Sequence, residues 1–192
     1  MKVTLASASP RRRELLSLLL TEFDCLATDI DETPLPSEGA KDYVLRMAVE
    51  KAAAATVMNG AVVGADTVVV LSGTILQKPV SFEDAKGMLS ALSGQTHQVM
   101  TAVALMIGGR LQTVLSTTKV EFARLDESVI DAYLSTDEPW DKAGAYGIQG
   151  QAGSFVRSIE GSYSAVVGLP LCEIRELLQT AGIETRMSNP SA

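Results

Sequence analysis

One carboxylate stands out in this sequence because it lies in the middle of a strongly apolar run. Asp66 is flanked by the apolar, mostly β-branched residues of the segment 62–70. Such a run predicts a strand that is buried on both faces. An isolated buried carboxylate costs several kcal/mol, so Asp66 needs hydrogen bonds, an ion pair or a metal. Two interpretations follow: a satisfied turn or bulge after Gly64, or a carboxylate at a strand edge that binds a metal or activates water.

The N-terminus contains a second candidate site, made of a short strand, a turn of small residues and the start of a helix. Ser9 is placed to cap this helix and Pro10 suits its first position. Free N–H groups and the helix dipole favour an anion there. Arg11 and Arg12 oppose the dipole at a cost of about a few tenths of a kcal/mol each, which favours contact with phosphate or base over a solvated basic turn. For Arg13 the solvated interpretation is preferred.

Three more charged residues have both an ordinary and a chemical interpretation. Glu32 lies in an acidic loop that prolines keep out of helix; this loop is either solvated or brings a second carboxylate to a divalent ion shared with Asp66. Lys51 lies on a predicted helix, where a charged residue is ordinarily on the solvated face. It can bind phosphate only if the helix face that carries it lines a cleft. Lys78 ends a strand before Pro79, either as an exposed charge or as a point-charge ligand for phosphate.

A glycine-dense segment at 141–150 would let the main chain wrap closely around a ligand. Tyr146 and Gln149 would add shape and hydrogen bonds. A plain tight loop is the alternative, because the spacing matches neither a P-loop nor a dinucleotide fingerprint. His97 is the one histidine and could be a general base. Its neighbours place it on an ordinary β face, so a structural role is preferred.

Composition limits the class of protein. With 192 residues and 46% apolar content, the chain can bury a large core as one domain, with or without a small lobe. A net charge of -7 argues against nucleic-acid binding. The N-terminus has no secretory pattern and its apolar stretch is too short to cross a membrane, which favours the cytoplasm. Cys25 and Cys172 have neither disulfide nor metal-ligand spacing and are expected to be buried.

The hydrophobic pattern predicts the elements that must position these residues. Strands and helices alternate early, a hairpin turning at Gly108-Gly109 lies in the middle, and a strand and a helix close the chain. This order indicates a mixed sheet with helices on its faces. The tail from about residue 183 is expected to be frayed. Predicted strands are 2–5, 23–28, 62–70, 95–107, 110–124 and 152–159; predicted helices begin at Pro10 and span 41–57, 81–92, 127–135 and 169–180.

Five motifs in this order resemble the Maf family of nucleotide pyrophosphatases, over nearly the whole chain. The motifs are Ser7-Ala8-Ser9-Pro10-Arg11-Arg12, Glu50-Lys51, Gly64-Ala65-Asp66-Thr67, Gln77-Lys78-Pro79 and Ala143-Gly144-Ala145-Tyr146-Gly147-Ile148-Gln149-Gly150. The resemblance implies an α/β fold with a mixed twisted sheet flanked by helices, similar to that of inosine triphosphate pyrophosphatases, with two lobes around a cleft. It also implies hydrolysis of nucleoside triphosphates to monophosphate and pyrophosphate with a divalent cation, Mg²⁺ or Mn²⁺.

Roles for individual residues follow from the same resemblance. Asp66 matches the family's proton acceptor, and with Glu32 it is expected to hold a metal-bound water and take its proton. Ala8 departs from the glycine of many relatives, and its methyl group slightly narrows the approach of phosphate to Ser9. The positions that set base preference are Arg11, Thr67 and Gln149. The polar cleft residues, expected to bind the triphosphate or the metal, are Arg12, Glu32, Lys51 and Lys78.

The base is predicted from Gln149. Thymine and uracil present an acceptor, donor, acceptor edge that a carboxamide and backbone groups can satisfy, whereas a guanine edge with two donors suits a carboxylate better. The Gly147-Ile148-Gln149-Gly150 form also resembles the dTTP/UTP branch of the family. We therefore expect a dTTP and UTP pyrophosphatase, in one domain over 1–192 with a short frayed tail. Similar proteins are often dimers, so a homodimer is also expected.

Two other functions stay open. A pyrophosphatase of the 7-methyl-GTP branch would share most of these motifs and differ in base choice. The family's name comes from a link to inhibited septum formation, so a nucleotide-binding regulator of cell division is the other alternative. A water-activating carboxylate at Asp66 favours turnover over pure regulation.

Overall fold

A seven-stranded mixed sheet is the centre of the computed structural model, which describes residues 1–55 and 60–188. The strands are β1 (Lys2–Ala6), β2 (Asp24–Cys25), β3 (Gly60–Leu71), β4 (Thr74–Leu76), β5 (Thr96–Ile107), β6 (Arg110–Phe122) and β7 (Val156–Glu160). The helices are α1 (Pro10–Ser17), α2 (Ala40–Ala54), α3 (Phe82–Leu92), α4 (Glu127–Leu134), α5 (Tyr163–Val167) and α6 (Leu171–Thr180). The strand order is β2-β1-β3-β5-β6-β7, and β4 pairs with β3 off this path. The predicted α/β class is confirmed.

The borders of β3 explain where a cleft can open. On one edge, β1 runs parallel to β3 and its last pair is Ala6 with Gly64. On the same edge, β4 pairs antiparallel with β3 from Val69 onward. Residues 65–68 lie between these two partners. On the other edge, β5 pairs with β3 in regular register through Asp66 and Ala102, so the bulge considered after Gly64 is wrong.

Alternate residues of β3 face different apolar layers. Val63 and Ala65 pack in a core with residues of α1 and α6. Val62 and Val68 face the other way and pack against α2. A third core contains residues of α3 and α4 together with residues of β5 and β6 from the end of the hairpin that is far from its turn. Asp66 therefore lies on the α2 side of the sheet, and Thr67 on the opposite side.

Several predicted elements have different ends in the structure. The predicted strand 23–28 pairs only at β2, and the first residues of the predicted strand 152–159 form a 3₁₀ helix, Gln151–Phe155. The closing helix begins at Leu171, with Pro170 at its N-cap rather than in its first turn. The five-residue helix α5 was not predicted. Of the predicted helix 41–57, residues 56 and 57 lie outside the described residues.

The expectation that both cysteines are buried is wrong. Cys25 and Cys172 are exposed free thiols. Cys25 lies on β2, a two-residue strand at the sheet edge whose residues are both exposed. At the C-terminal end, Ile183 is buried and the backbone N–H of Arg186 donates to the carbonyl of Leu19 at 2.7 Å. The rest of the predicted frayed tail, 189–192, lies outside the described residues.

The described helices include none that is both long and apolar enough to cross a membrane. The hairpin turn between β5 and β6 has positive φ at both Gly108 (54°) and Gly109 (79°), as predicted. Ser81 caps α3, since its hydroxyl accepts from the N–H of Asp84 at 3.1 Å. These local elements formed where the sequence indicated.

Gly64 determines how closely α2 approaches the sheet. A Cβ atom at this position would lie 2.2 Å from the carbonyl oxygen of Ala48 and 2.7 Å from the backbone nitrogen of Ala52. The helix backbone therefore packs directly on the strand backbone. This contact places Lys51, on α2, beside Asp66, two residues further along β3.

Gly64→Ala is expected to lower the free energy of unfolding by about 1–3 kcal/mol, because the methyl group has no room and α2 must shift. Gly87→Ala is the matched control: it lies inside α3 with no atom within 4 Å of its Cβ position. That control should gain about 0.5–1 kcal/mol from helix propensity. Urea unfolding of both variants gives the comparison. A Gly64→Ala midpoint at or above that of wild type would contradict the close packing of α2.

Candidate active site

A cleft of about 650 Å³ opens at the edge of β3 between β1 and β4. Its walls come from the end of β1 and the start of α1, from α2 and the acidic loop, and from the glycine-rich segment. The structure thus brings together five sequence motifs that lie up to about 140 residues apart. Every residue predicted for the site lines this cleft: Ser9, Arg11, Arg12, Glu32, Lys51, Asp66, Thr67, Lys78 and Gln149.

Lys51 bridges the two carboxylates predicted to act together. Its Nζ lies 2.7 Å from Oδ1 of Asp66 and 2.7 Å from Oε1 of Glu32. Lys51 is 8% exposed and Asp66 is 7% exposed, so this ion pair is buried. The face of α2 that carries Lys51 therefore looks into the cleft and not into solvent. Lys78 is more exposed, with its Nζ 3.8 Å from Oε2 of Glu32.

The charge state of Glu32 follows from this bridge. Partial burial raises the pKa of its carboxyl, but the hydrogen bond and positive charge of Lys51 outweigh burial, and the pKa lies below its ordinary value. The loop that carries Glu32 is docked on α2. The hydroxyl of Tyr43 donates to the backbone oxygen of Glu32 at 2.8 Å, and Arg46 donates to the backbone oxygen of Thr33 at 3.1 Å. Burial raises the pKa of Tyr43 to about 12, so it remains a donor.

Arg12 is fixed by three hydrogen bonds that leave part of its guanidinium free. Nε donates to the backbone oxygen of Gly168 at 2.9 Å, NH2 to the hydroxyl of Thr67 at 3.2 Å, and NH1 to the hydroxyl of Ser7 at 3.4 Å. A guanidinium has five N–H groups, so two remain for a ligand. Burial lowers the pKa of Arg12, yet an arginine side chain stays charged.

A chain of hydroxyl groups holds Arg12 from the far side of the sheet. Thr101 donates to the backbone oxygen of Ala165 at 2.7 Å, which uses its only hydroxyl hydrogen. Thr67, 3.0 Å from Thr101, must therefore donate to it and accept from Arg12. Thr67 orients the arginine through this chain. Thr67 and Asp66 lie on opposite faces of the sheet, and both line the cleft because residues 65–68 are at the open edge of β3.

The turn before α1 has the predicted anion-site features. Ser9 is the N-cap, its hydroxyl accepts from the N–H of Arg12 at 3.4 Å, and Pro10 opens the helix. Arg11 reaches across the cleft to Asp141, with 3.0 Å between NH1 and Oδ2. Partial burial raises the pKa of the Asp141 carboxyl, but the hydrogen bonds from Lys142 and Arg11 together outweigh burial. The pKa of Asp141 therefore lies below its ordinary value.

Gln149 is exposed, lies within the glycine-rich segment and lines the cleft. Sequence reasoning missed the residue that underlies this segment, Glu138, which also lines the cleft. Its carboxylate accepts hydrogen bonds from the backbone of residues that follow Gln149. The available signal was an acid shortly before the glycine-rich segment, but acids close to a proline are ordinary in loops.

His97 lies outside the cleft lining, in a buried aromatic group. It is 2% exposed, and its Nε2 is 2.8 Å from the hydroxyl of Tyr146. Its ring packs edge-on against Phe122, with centroids 5.0 Å apart. Tyr146 does line the cleft, so His97 supports the cleft wall from behind. This placement agrees with the structural role preferred from the sequence.

Burial lowers the pKa of His97 from 6.5 to about 4. Between these values the unfolded chain binds more protons than the folded protein, so this histidine makes stability fall as pH decreases from 6.5 to 4. The expected loss between pH 7 and pH 5 is about 2 kcal/mol. Urea unfolding at both pH values measures it. His97→Gln should reduce that difference by most of this amount, and an unchanged difference in the variant would contradict the assignment.

The fold class is shown by solved structures of low sequence identity. The Ham1 protein of Staphylococcus aureus matches with a TM-score of 0.58 at 15% identity, over 94% of this chain and 100% of its own. A HAM1 protein from Coxiella burnetii matches with a TM-score of 0.53 at 15% identity, over 94% and 99% of the two chains. These matches show that the chain has the α/β fold of the Ham1 proteins.

Sequence relatives then give the family. The profile of the family described as "Maf-like protein" matches residues 2–181, and the chain belongs to this family. A relative in Shewanella frigidimarina, named dTTP/UTP pyrophosphatase, is 56% identical over 91% of this chain and 94% of its own length. Relatives of the same name in Hahella chejuensis and Escherichia coli are 52% and 54% identical, over 95% and 91% of this chain and 94% and 90% of theirs.

Proposed function

We propose that this protein hydrolyses dTTP and UTP to the nucleoside monophosphate and pyrophosphate. The observation that carries the proposal is the buried Lys51 bridge between Asp66 and Glu32, at the wall of a cleft that also holds Arg12 and Gln149. The name shared by relatives at 52–56% identity supports the same substrates. The cleft volume of about 650 Å³ is suitable for a nucleotide.

Asp66 is proposed as the proton acceptor. Water attacks the α-phosphorus, its oxygen bonds to phosphorus, its proton passes to Asp66, and the bond from the α-phosphorus to the bridging oxygen breaks to release pyrophosphate. Lys51 holds the Asp66 carboxylate in one orientation through a contact of 2.7 Å. Most of the rate then comes from positioning and electrostatics rather than from a covalent intermediate.

The triphosphate is proposed to bind through the cations of the cleft. Arg12 has two N–H groups that its framework contacts leave free, and its position is fixed by Gly168 and Thr67. Lys78 is mostly exposed and can move toward the leaving pyrophosphate. Because these charges lie in a cleft with part of their solvent removed, their attraction for phosphate is stronger than at an open surface.

We also propose a divalent cation, Mg²⁺ or Mn²⁺, held by Asp66 and Glu32. Within residues 1–55 and 60–188, no group of three or more histidine, cysteine or acidic side chains is placed to bind a metal ion. Lys51 contacts one oxygen of each carboxylate, Oδ1 of Asp66 and Oε1 of Glu32, so the ion would use the other oxygen of each. Mg²⁺ is commonly held by one or two carboxylates together with substrate phosphates and water, and this pair can supply those two oxygens. When bound, the cation would neutralise part of the triphosphate charge.

Gln149 is proposed to read the base. Its exposed carboxamide offers one donor group and one acceptor in a loop whose glycines allow close approach. A thymine or uracil edge needs both, whereas a cytosine edge reverses two of the three groups. Arg11, held by Asp141 at 3.0 Å, lies across the cleft as the other candidate for base contact.

A nucleotide panel tests the proposal. Pyrophosphate release is measured from dTTP, UTP and 7-methyl-GTP, each with and without Mg²⁺ or Mn²⁺. We expect cation-dependent release from dTTP and UTP and little from 7-methyl-GTP. A preference for 7-methyl-GTP would contradict the base assignment. Binding of dTTP with no product under any condition would contradict hydrolysis and favour the nucleotide-binding regulator.

The proposal also covers the partner of the protein, its compartment and its assembly. A free nucleoside triphosphate is the proposed partner, and nucleic acid is not, because the net charge is -7. We propose the cytoplasm as its compartment. A homodimer is proposed as the assembly, and a light-scattering mass near that of one 20.3 kDa chain would contradict it.

A further inference from the structure

Glu138 lies under the glycine-rich segment and binds it from one side. One oxygen of its carboxylate, Oε2, accepts from the backbone N–H of Gln151 at 2.8 Å. The other, Oε1, accepts from the N–H of Ala152 at 3.3 Å and from the hydroxyl of Tyr133 at 3.0 Å. That hydroxyl in turn accepts from the N–H of Gly147 at 3.3 Å. The carboxylate therefore binds the backbone on both sides of Gln149: through Tyr133 before it, at Gly147, and directly after it, at Gln151 and Ala152.

One glycine of this segment fits directly against the same carboxylate. A Cβ atom on Gly150 would lie 2.2 Å from Oε2 of Glu138, so Gly150 must lack a side chain because Glu138 fills the inner side of the loop. At Gly147 the nearest atom would be Cε of Lys142, at 2.7 Å, and Lys142 is the residue that donates to the backbone oxygen of Glu138. Gly150 thus serves the contact with Glu138 as well as any contact with a ligand.

Glu138 itself is held in place. Lys142 donates from Nζ to the backbone oxygen of Glu138 at 2.6 Å. Burial, and then the charge of Glu138, raise the pKa of Tyr133, so its hydroxyl remains a donor at neutral pH. Hydrogen bonds to an ionised carboxylate are about twice as strong as neutral ones. Both oxygens of the Glu138 carboxylate already accept hydrogen bonds from the loop or from Tyr133. They are therefore poorly placed to accept a hydrogen bond from a base.

We propose that Glu138 is a positioning residue for base selection: its carboxylate holds the loop 147–152 in the conformation that presents Gln149 to the base. This inference rests on the proposed hydrolysis of pyrimidine triphosphates. It assigns discrimination between uracil-type and cytosine bases to a residue that touches neither base nor phosphate. A loosened loop no longer fixes the position of the Gln149 amide relative to the base, so discrimination between the two base edges falls.

The test compares Glu138→Gln with wild type for dTTP and dCTP, which have bases of similar size. The amide substituent places an NH₂ group against N–H or O–H donors, so at least one loop contact is lost. We expect kcat for dTTP within about threefold of wild type, KM raised about tenfold, and the dTTP to dCTP ratio of kcat/KM lowered about tenfold. An unchanged ratio would overturn the proposal.

Glu160→Gln is the matched control, because Glu160 pairs with Lys119 at an exposed edge of the sheet. It should leave both kinetic constants and the ratio unchanged. Tyr133→Phe is the second variant and covers the case in which Glu138→Gln folds poorly. It removes only the hydroxyl that links Glu138 to Gly147, so the ratio should fall in the same direction, by about threefold. A ratio equal to that of wild type would count against the proposal.

A double variant separates positioning from direct contact. In a Gln149→Ala background, Glu138→Gln should cause no further change in the dTTP to dCTP ratio, because the group that it positions is already absent. An additional tenfold loss would show that Glu138 acts on the base independently of Gln149, which contradicts a positioning role.

Amide hydrogen exchange gives a readout that needs no substrate. Exchange at the N–H groups of Gln151 and Ala152 should be about tenfold faster in Glu138→Gln, and equal rates would overturn the proposed hold on the loop. If wild type hydrolyses none of the nucleotides, the proposed function fails separately. The dTTP and dCTP dissociation constants from calorimetry then replace kcat/KM in the same comparison, with the same expected fall in the ratio.

Discussion

Replacing Asp66 by asparagine is expected to lower kcat for dTTP by about 10³-fold, which is the usual size of a general-base contribution. Asparagine has nearly the same shape and can still accept the hydrogen bond that Lys51 donates to Asp66 at 2.7 Å. It cannot accept the proton of the attacking water. The loss should therefore appear in kcat, measured at saturating Mg²⁺ because the amide also weakens the proposed cation site.

Asp24→Asn is the control for this experiment. Asp24 pairs with Lys2 at 2.7 Å at the edge of the sheet, and both side chains are largely exposed. The control should keep wild-type kinetics. Circular dichroism and urea unfolding establish that Asp66→Asn is folded. A folded Asp66→Asn protein that hydrolyses dTTP at the wild-type rate would show that another group accepts the proton.

The second large effect is expected for Lys51→Met. Methionine has similar length but no charge, so Asp66 stays buried without the ammonium that lies 2.7 Å away, and Glu32 loses the same partner. Removing one member of a buried ion pair costs about 3–5 kcal/mol, because an uncompensated charge remains. We expect that loss in the free energy of unfolding at pH 7, together with loss of dTTP hydrolysis.

A double variant identifies the cause of that loss. Lys51→Met combined with Asp66→Asn removes the uncompensated charge, so it should recover much of the stability without recovering activity. A double variant no more stable than Lys51→Met would point to packing rather than to charge.

Lys119→Met is the matched control for Lys51→Met. Lys119 pairs with Glu160 at 3.2 Å, but both side chains are mostly exposed. Exposed ion pairs contribute about 1 kcal/mol or less. Equal losses in the free energy of unfolding for the two lysine variants would contradict the burial of the Lys51–Asp66 ion pair.

The sequence was informative where local pattern and chemistry agreed. The apolar strand around Asp66, the serine cap and proline at the start of α1, and the double-glycine hairpin all follow from short-range rules. The predicted site residues line one cleft because β1 ends at Ala6 and β4 begins pairing at Val69, which leaves residues 65–68 of β3 at its edge. That geometry depends on strand order, which a single sequence does not reveal.

Other features depend on tertiary contacts alone. Glu32 and Lys51 were each assigned an ordinary alternative, and only the docking of the acidic loop on α2 brings them to 2.7 Å. Glu138 was missed because an acid next to a proline is ordinary in loops, and its partners include backbone N–H groups, which almost every residue has. Cys25 was expected to be buried from its apolar sequence context, but β2 pairs at only two residues and lies at the sheet edge.

Hydrolysis of dTTP in ¹⁸O-labelled water, followed by mass spectrometry of the products, tests the proposed chemistry most directly. Attack at the α-phosphorus, with Asp66 as the proton acceptor, predicts one ¹⁸O atom in thymidine monophosphate and none in pyrophosphate, and Asp66→Asn should form this product about 10³-fold more slowly. Label in the pyrophosphate, or release of labelled orthophosphate with thymidine diphosphate, would contradict the attack that the cleft is proposed to catalyse.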